Sequence, residues 1–234
     1  MGVKQKYSAM HPLNLQRSTQ GLLAFTALCI MLMSVRVVIK DEWRFGFLVW
    51  NLFLAWVPFW LTSIAAHIHA RTGSKLLVIP VLSVWLLFFP NAPYIITDLL
   101  HIRNYGQNII WFDSVLIFLF AFTGLIIGVQ SLQKAHELFR RQFNPVWAWL
   151  LVLGCTLLSG FGIYLGRYCR LNSWDLFNDP FRLAGRVVNQ LDNPLSLKVT
   201  LMFGFILFVM YTIFHRFYTP DQTSVLRQTS NLQQ

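Results

Sequence analysis

Long runs of hydrophobic residues, separated by mostly short polar segments, occupy most of the chain. The apolar runs cover residues 21–39, 45–66, 76–89, 109–129, 145–165 and 195–217. A helix of about 20 apolar residues crosses the hydrocarbon core of a bilayer. The pattern therefore predicts an all-α polytopic membrane protein with about six transmembrane helices. It divides the chain into a polar N-terminal segment (1–20), a six-helix transmembrane domain (21–217) and a polar C-terminal tail (218–234).

The third run is too short to cross the membrane as a straight helix, and it ends in the sequence Pro90-Asn91-Ala92-Pro93. Two alternatives follow. Either its helix begins before Lys75, or the span continues through both prolines as broken backbone. Non-helical backbone at membrane depth is tolerated only where protein buries it or where it lines a cavity.

Two connectors have an amphipathic pattern. Residues 130–144 are predicted to be a polar, faintly amphipathic connector after the fourth span. In the segment 180–191, Asp179-Pro180 reads as a helix cap and first turn, with apolar residues on one side and polar ones on the other. This segment is predicted to be an interfacial amphipathic helix that lies on the bilayer.

Small residues recur on one side of the fifth span, at Cys155, Ser159, Gly162 and Gly166. A seam of small residues lets another helix approach closely. The Gly124/Gly128 side of the fourth span is the partner that we expect for it.

Composition supports the membrane assignment. The mean hydropathy is +0.52, and only 12% of residues are charged, about half of what soluble domains contain. The net charge of +10 does not indicate nucleic-acid binding, because the bases lie mostly in short loops without interleaved aromatic residues. The three cysteines contain no CxxC pair, and the sequence predicts no metal site.

Topology follows from the number of spans. Six spans place both termini on one side, and the segments after spans three and five on the other. The distribution of Lys and Arg, ten against nine, favours termini in the cytoplasm once bases within spans and in the long connector are discounted.

Candidate chemistry is concentrated in those two segments. Asp98 and His101 are three residues apart, as an acid and an imidazole on one helical face would be, and we take them as candidate catalytic residues. Arg167 and Arg170 are a candidate clamp for an anion. The candidate substrate-binding residues are Asn91, Tyr94, Arg103, Arg167, Arg170, Asn172, Trp174 and Asp175. Because a charge at the membrane edge is usually paired, we predict that Asp98 pairs with Arg167 or Arg170, and Asp113 is an alternative acid.

The motifs FFPNAPYIITDLLHI and GFGIYLGRYCRLNSWD resemble the bacterial membrane family catalogued as domain of unknown function 1361. The resemblance extends roughly from the first span to the sixth. It implies a polytopic protein of a bacterial membrane, and it implies no activity.

Three functions remain open. The first is binding or processing of an anionic lipid or envelope precursor, with His101 as the acid–base group, Asp98 as its orienter and the arginines as clamp. The second is a small transporter, against which stand the absence of an inverted repeat and of charges at the centres of spans. The third is a structural or assembly role. The sequence does not decide whether the protein is an enzyme, which cofactor it uses or whether it forms oligomers; the partner that it predicts is the lipid bilayer.

Overall fold

The computed structural model describes residues 12–104 and 110–218, with the side chains of 19–99, 110–176 and 178–217. The described residues form helices and the connectors between them, with no strand. The helices are α1 (Pro12–Lys40), α2 (Gly46–Thr72), α3 (Lys75–Phe88), α4 (Asn91–Tyr94), a 3₁₀ helix (Ile95–Asn104), α5 (Ile110–Gln142), α6 (Pro145–Tyr168), α7 (Asp175–Asn178), α8 (Pro180–Val188) and α9 (Pro194–Tyr218).

Within the described residues, six helical segments are long and apolar enough to cross a membrane. This confirms the predicted all-α architecture with six spans. The ends of α1, the 3₁₀ helix and α6 lie on one side, which we call the site face. The opposite side, where α1 begins and α9 ends, is called the termini face.

The prediction of a connector at residues 130–144 is wrong, because α5 continues without a break to Gln142. The apolar residues of that stretch recur at helical spacing, and Leu132, Ala135 and Leu138 are buried in the bundle. Four of its polar residues, Ser131, Gln133, Lys134 and His136, are therefore held inside the protein and on a helix. The 33 residues of α5 rise about 50 Å, more than the hydrocarbon core requires.

The third span is a broken helix. Of the two alternatives for it, the one in which the span continues through both prolines is therefore correct. Helix α3 begins only at Lys75, and the chain then continues through α4 into the 3₁₀ helix. Pro90 and Pro93 have no N–H to donate, so they interrupt the regular hydrogen bonding of an α-helix. The broken segment Phe89–Ile95 is mostly buried, with Phe89, Ala92 and Ile95 all enclosed, as non-helical backbone in a membrane requires.

Glycines on α5 and α6 make room for this broken segment. A Cβ on Gly124 would lie 2.7 Å from the Ile95 side chain, and one on Gly162 would lie 2.5 Å from Cγ of Pro90. Gly128 and Gly166 face Ala92 and the Tyr94 ring in the same way. The predicted contact between the two small-residue seams is therefore wrong: each glycine pair instead holds one side of the broken segment.

Helix α6 meets α9 at a second close approach. A Cβ on Gly160 would clash with the backbone oxygen of Thr200, and one on Gly204 would lie 2.8 Å from Cα of Leu157. The two backbones come this near because neither glycine has a side chain.

The amphipathic segment forms a helix as predicted, although it ends at Val188. The Asp179 side chain caps it by accepting from the Arg182 N–H. None of its described residues is buried, and Phe181 is exposed on its apolar face. An apolar face that the protein leaves largely uncovered is what a helix at a membrane interface needs.

Candidate functional site

The Asp98 carboxylate is the centre of the candidate site. The broken third span carries it into the bundle, where its side chain is only 2% exposed. Nη1 of Arg167 lies 3.3 Å from Oδ1, and Nδ2 of Asn51 donates to Oδ2 at 2.9 Å. A buried carboxylate needs such partners because burial removes its hydration. The predicted pairing of Asp98 with Arg167 is thus confirmed.

Asp113, the alternative acid, does not join this group. It pairs instead with Arg36 of α1, with 2.9 Å between Nε and Oδ1, and both side chains are at most 5% exposed. The Arg36 guanidinium also lies over the Phe45 ring and donates to the backbone oxygen of Glu42. This second buried ion pair joins α1 to the start of α5 on the site face.

The backbone of His101 and Arg103 belongs to the 3₁₀ helix that follows Asp98. Their side chains lie outside the described ones. The acid–imidazole pair and the binding role of Arg103 accordingly stay predictions.

Asn91 joins the two sequence motifs at a second point. Its Nδ2 donates to the backbone oxygen of Phe88 at 2.9 Å and to Oγ of Ser173 at 3.1 Å. Ser173 in turn donates to the backbone oxygen of Leu87. The loop after α6 is therefore held against the end of α3. We give the name composite site to Asn51, Asn91, Asp98 and Arg167 together with the loop 170–175, which contains Ser173.

The remaining candidate residues have different surroundings. Tyr94 packs its ring against Gly166, and Trp174 contacts the Trp50 ring at a centroid distance of 6.0 Å. Oδ2 of Asp175 accepts from the Asn172 N–H at 2.8 Å. Because that carboxylate closes the turn before α7, it has a local structural function.

Arg170 is exposed and has a positive φ of 54°. This left-handed conformation ends α6, and the Leu171 N–H then reaches back to the Leu165 oxygen at 3.2 Å. Non-glycine residues rarely adopt it. The guanidinium of Arg170 thus projects from a backbone position fixed at the edge of the composite site.

A further polar cluster lies inside the bundle near the termini face, between α9 and the part of α5 that the sequence predicts to be a connector. Oη of Tyr211 on α9 lies 2.6 Å from Nδ1 of His136 and donates to Oε1 of Gln133 at 2.9 Å. Nδ1 of His215 lies 2.8 Å from the same amide oxygen, and Nε2 of Gln133 donates to Glu137. We call these five residues the His136 network.

The contacts of this network run between α5 and α9. The Tyr211 hydroxyl of α9 lies within hydrogen-bonding distance of both Nδ1 of His136 and Oε1 of Gln133 on α5, and Nδ1 of His215 contacts the same amide oxygen. His136 is completely buried and its Nε2 has no hydrogen-bond partner. The network therefore ties α5 to α9, and the signal that could have found it is the spacing of Gln133, His136 and Glu137 on one helical face.

Comparison with known proteins gives a family and no activity. No curated protein and no solved structure matches the chain. The sequence model of a family described as "Protein of unknown function (DUF1361)" matches residues 50–210, which include both motifs and every residue of the composite site. On that match, which covers more than half of its length, this multi-pass membrane protein belongs to the DUF1361 family.

Proposed function

We propose that the protein binds an anionic group at the site face, such as the head group of an anionic lipid or of an envelope precursor. The observation that carries this proposal is that Arg167 is held in place by Asp98 and is still partly exposed. Asp98 fixes its guanidinium at 3.3 Å, while 18% of the side chain stays exposed. A guanidinium held in this way loses little conformational freedom when it binds an oxyanion.

Arg170 provides the second cation of the proposed clamp. It is exposed, three residues after Arg167, and its backbone is fixed by the end of α6. Asn91, Asn172 and Asp175 would act by fixing the loop, and Tyr94 by packing. In a processing reaction, His101 would be the acid–base group and Asp98 its orienter.

A structural or assembly function is the second candidate. The bonds from Asn91 to Ser173 and from Ser173 to Leu87 favour it, because they cross-link the two motifs through the protein's own polar groups. Both candidates are compatible with our further proposal that the protein resides in a bacterial cytoplasmic membrane with cytoplasmic termini.

Native mass spectrometry of the full-length protein with phosphatidylglycerol and phosphatidylcholine tests the first proposal. Arg170→Gly removes the cation and suits the left-handed backbone. We expect about a tenfold loss of phosphatidylglycerol affinity, because a hydrogen bond to a charged group contributes about 1.5–3 kcal/mol. Arg170→Lys should lose less.

The matched control is Arg44→Gln. Arg44 is another exposed arginine of the site face, 3.2 Å from the exposed Glu42 carboxylate. It should leave phosphatidylglycerol affinity unchanged. Equal affinity of the wild type and Arg170→Gly would reject the anion clamp and leave the structural function as the better account.

A further inference from the structure

Aromatic side chains form a ladder along the outer face of α2. Trp50, Phe53 and Trp60 are 53%, 47% and 45% exposed. The Trp50 and Phe53 rings stack at 5.4 Å between centroids, and the Phe53 and Trp60 rings meet edge to face at 5.9 Å. The buried Trp56 stacks on Trp60 from behind at 6.0 Å. We call Trp50, Phe53 and Trp60 the aromatic ladder.

The upper end of the ladder adjoins the composite site. Trp174, in the same loop as Arg170, contacts the Trp50 ring, and the next residue of α2, Asn51, donates to Asp98. A lipid head group at the arginines would thus have the ladder directly below it, in the same leaflet.

The length of the ladder matches one leaflet. Ten residues of helix separate Trp50 from Trp60, which corresponds to about 15 Å. Half of a hydrocarbon core of about 30 Å has the same thickness. Interfacial tryptophans form belts at the level of the head groups, whereas these rings run down into the core. The interfacial belt therefore does not account for Phe53 and Trp60.

We propose that the ladder binds the hydrocarbon chain of the anionic ligand, so that the ligand is a membrane lipid that enters from the bilayer. This inference rests on the proposed function. It adds that the bound anion is a lipid head group and excludes a free soluble anion as the physiological ligand. Flat, mutually supported rings give a chain a large contact area and lose little conformational freedom on binding.

The test compares two phosphatidylglycerols, one with oleoyl chains and one with butyryl chains, on the full-length protein in detergent. Trp60→Leu shortens the ladder and keeps the position apolar. We expect it to lower the affinity for the long-chain lipid about fivefold and to leave that for the short-chain lipid unchanged. Arg170→Gly should weaken the binding of both.

Phe118→Leu is the matched control. Phe118 is 58% exposed on α5 and stacks on Phe122, away from the composite site. It should not change the affinity for either lipid.

Three results would overturn the inference. If Trp60→Leu and Phe118→Leu weaken long-chain binding equally, the ladder has no special part. If the wild type binds both lipids with equal affinity and Arg170→Gly weakens both, the anion clamp is supported but the ladder does not bind the hydrocarbon chain. If Trp60→Leu instead changes the number of copies in the particle and not the chain dependence, the ladder is a contact between two copies of this chain.

Discussion

The composite site and the His136 network are two polar regions of this bundle, and different kinds of polar side chain hold them together. The composite site is held by an ion pair, Asp98 with Arg167, whose cation reaches the surface. The His136 network is held by hydrogen bonds among a phenol, an amide, two imidazoles and the Glu137 carboxylate, and both His136 and Tyr211 are completely buried.

Their positions along α5 place them near opposite sides of the membrane. Asp113, beside the site face, precedes His136 by 23 residues, or about 35 Å of helix. A group that is to meet a ligand from the interface must keep part of a charge accessible, as Arg167 does. A group that only joins two helices can be completely buried. The difference suggests a binding role for the first region and a cross-linking role for the second.

The largest effect is expected from breaking the ion pair of the composite site. Arg167→Gln should lower the free energy of unfolding by about 3 kcal/mol, because it removes the cation that faces the buried Asp98 carboxylate. Asp98→Asn should lower the free energy of unfolding by less, because the Arg167 side chain is partly exposed and can reach water. The measurement is reversible unfolding in mixed micelles.

The double variant identifies the cause of that loss. Asp98→Asn with Arg167→Gln should be more stable than Arg167→Gln alone, since no charge is left buried without its partner. Arg170→Gln, at an exposed position, should change stability by less than about 0.5 kcal/mol. Additive effects of the two single substitutions would contradict coupling between the motifs.

The second prediction concerns the glycines that position the composite site. Gly162→Ala should lower the free energy of unfolding by about 2 kcal/mol, because its Cβ would lie 2.5 Å from the rigid Pro90 ring. Gly154→Ala, eight residues earlier on α6, meets nothing within 4 Å and serves as the control. If both variants unfold alike, the close approach of α6 to the broken segment is not needed.

The third prediction concerns the His136 network. Tyr211→Phe keeps the ring but removes the hydroxyl that joins His136 to Gln133, so the buried Nδ1 of His136 loses its partner. We expect a loss of about 2 kcal/mol in the free energy of unfolding and no change in phosphatidylglycerol binding. Tyr168→Phe, at an exposed tyrosine, should alter neither. Loss of lipid binding in Tyr211→Phe would mean that the two regions are not independent.

The two regions also differ in how far the sequence predicts them. The prolines at 90 and 93 mark a break in an apolar run. Asp98 and Arg167 follow apolar runs that end on the same side of the membrane. Their pairing could therefore be predicted from this topology and from the energetic cost of an unpaired charge in a membrane. The His136 network lies beyond the apolar part of α5, where hydropathy alone ends the span at Val129. Its burial depends on α9, which contributes Tyr211 and His215 from 75 residues away or more.

The spacing of small residues along α6 also could not decide which segment packs against them. The seam at Gly162 and Gly166 correctly predicted a close approach. Its partner is the broken segment and not Gly124 and Gly128, because small residues on two helices can equally well admit a third segment between them. Only the positions of Pro90 and Tyr94 against those glycines distinguish the two arrangements.

The smallest effect is expected at Arg170, and it separates the backbone of the composite site from its charge. A left-handed residue with a Cβ is strained by about 1–2 kcal/mol, whereas glycine adopts this conformation freely. Glycine also adds about 0.4–1 kcal/mol of entropy to the unfolded chain. Arg170→Gly should therefore be about 1 kcal/mol more stable than Arg170→Ala, in which the strain remains.

Measured together, the Arg170 variants address both stability and binding. Arg170→Gly and Arg170→Ala should lose the same phosphatidylglycerol affinity, because both lack the guanidinium, while their stabilities differ. Thermal unfolding in detergent gives the stability, and native mass spectrometry gives the affinity. If Arg170→Gly keeps wild-type affinity, the guanidinium is not part of the clamp. If Arg170→Gly and Arg170→Ala are equally stable, the end of α6 does not hold residue 170 in the left-handed conformation. The proposal that the backbone of the clamp has a fixed geometry would then be wrong.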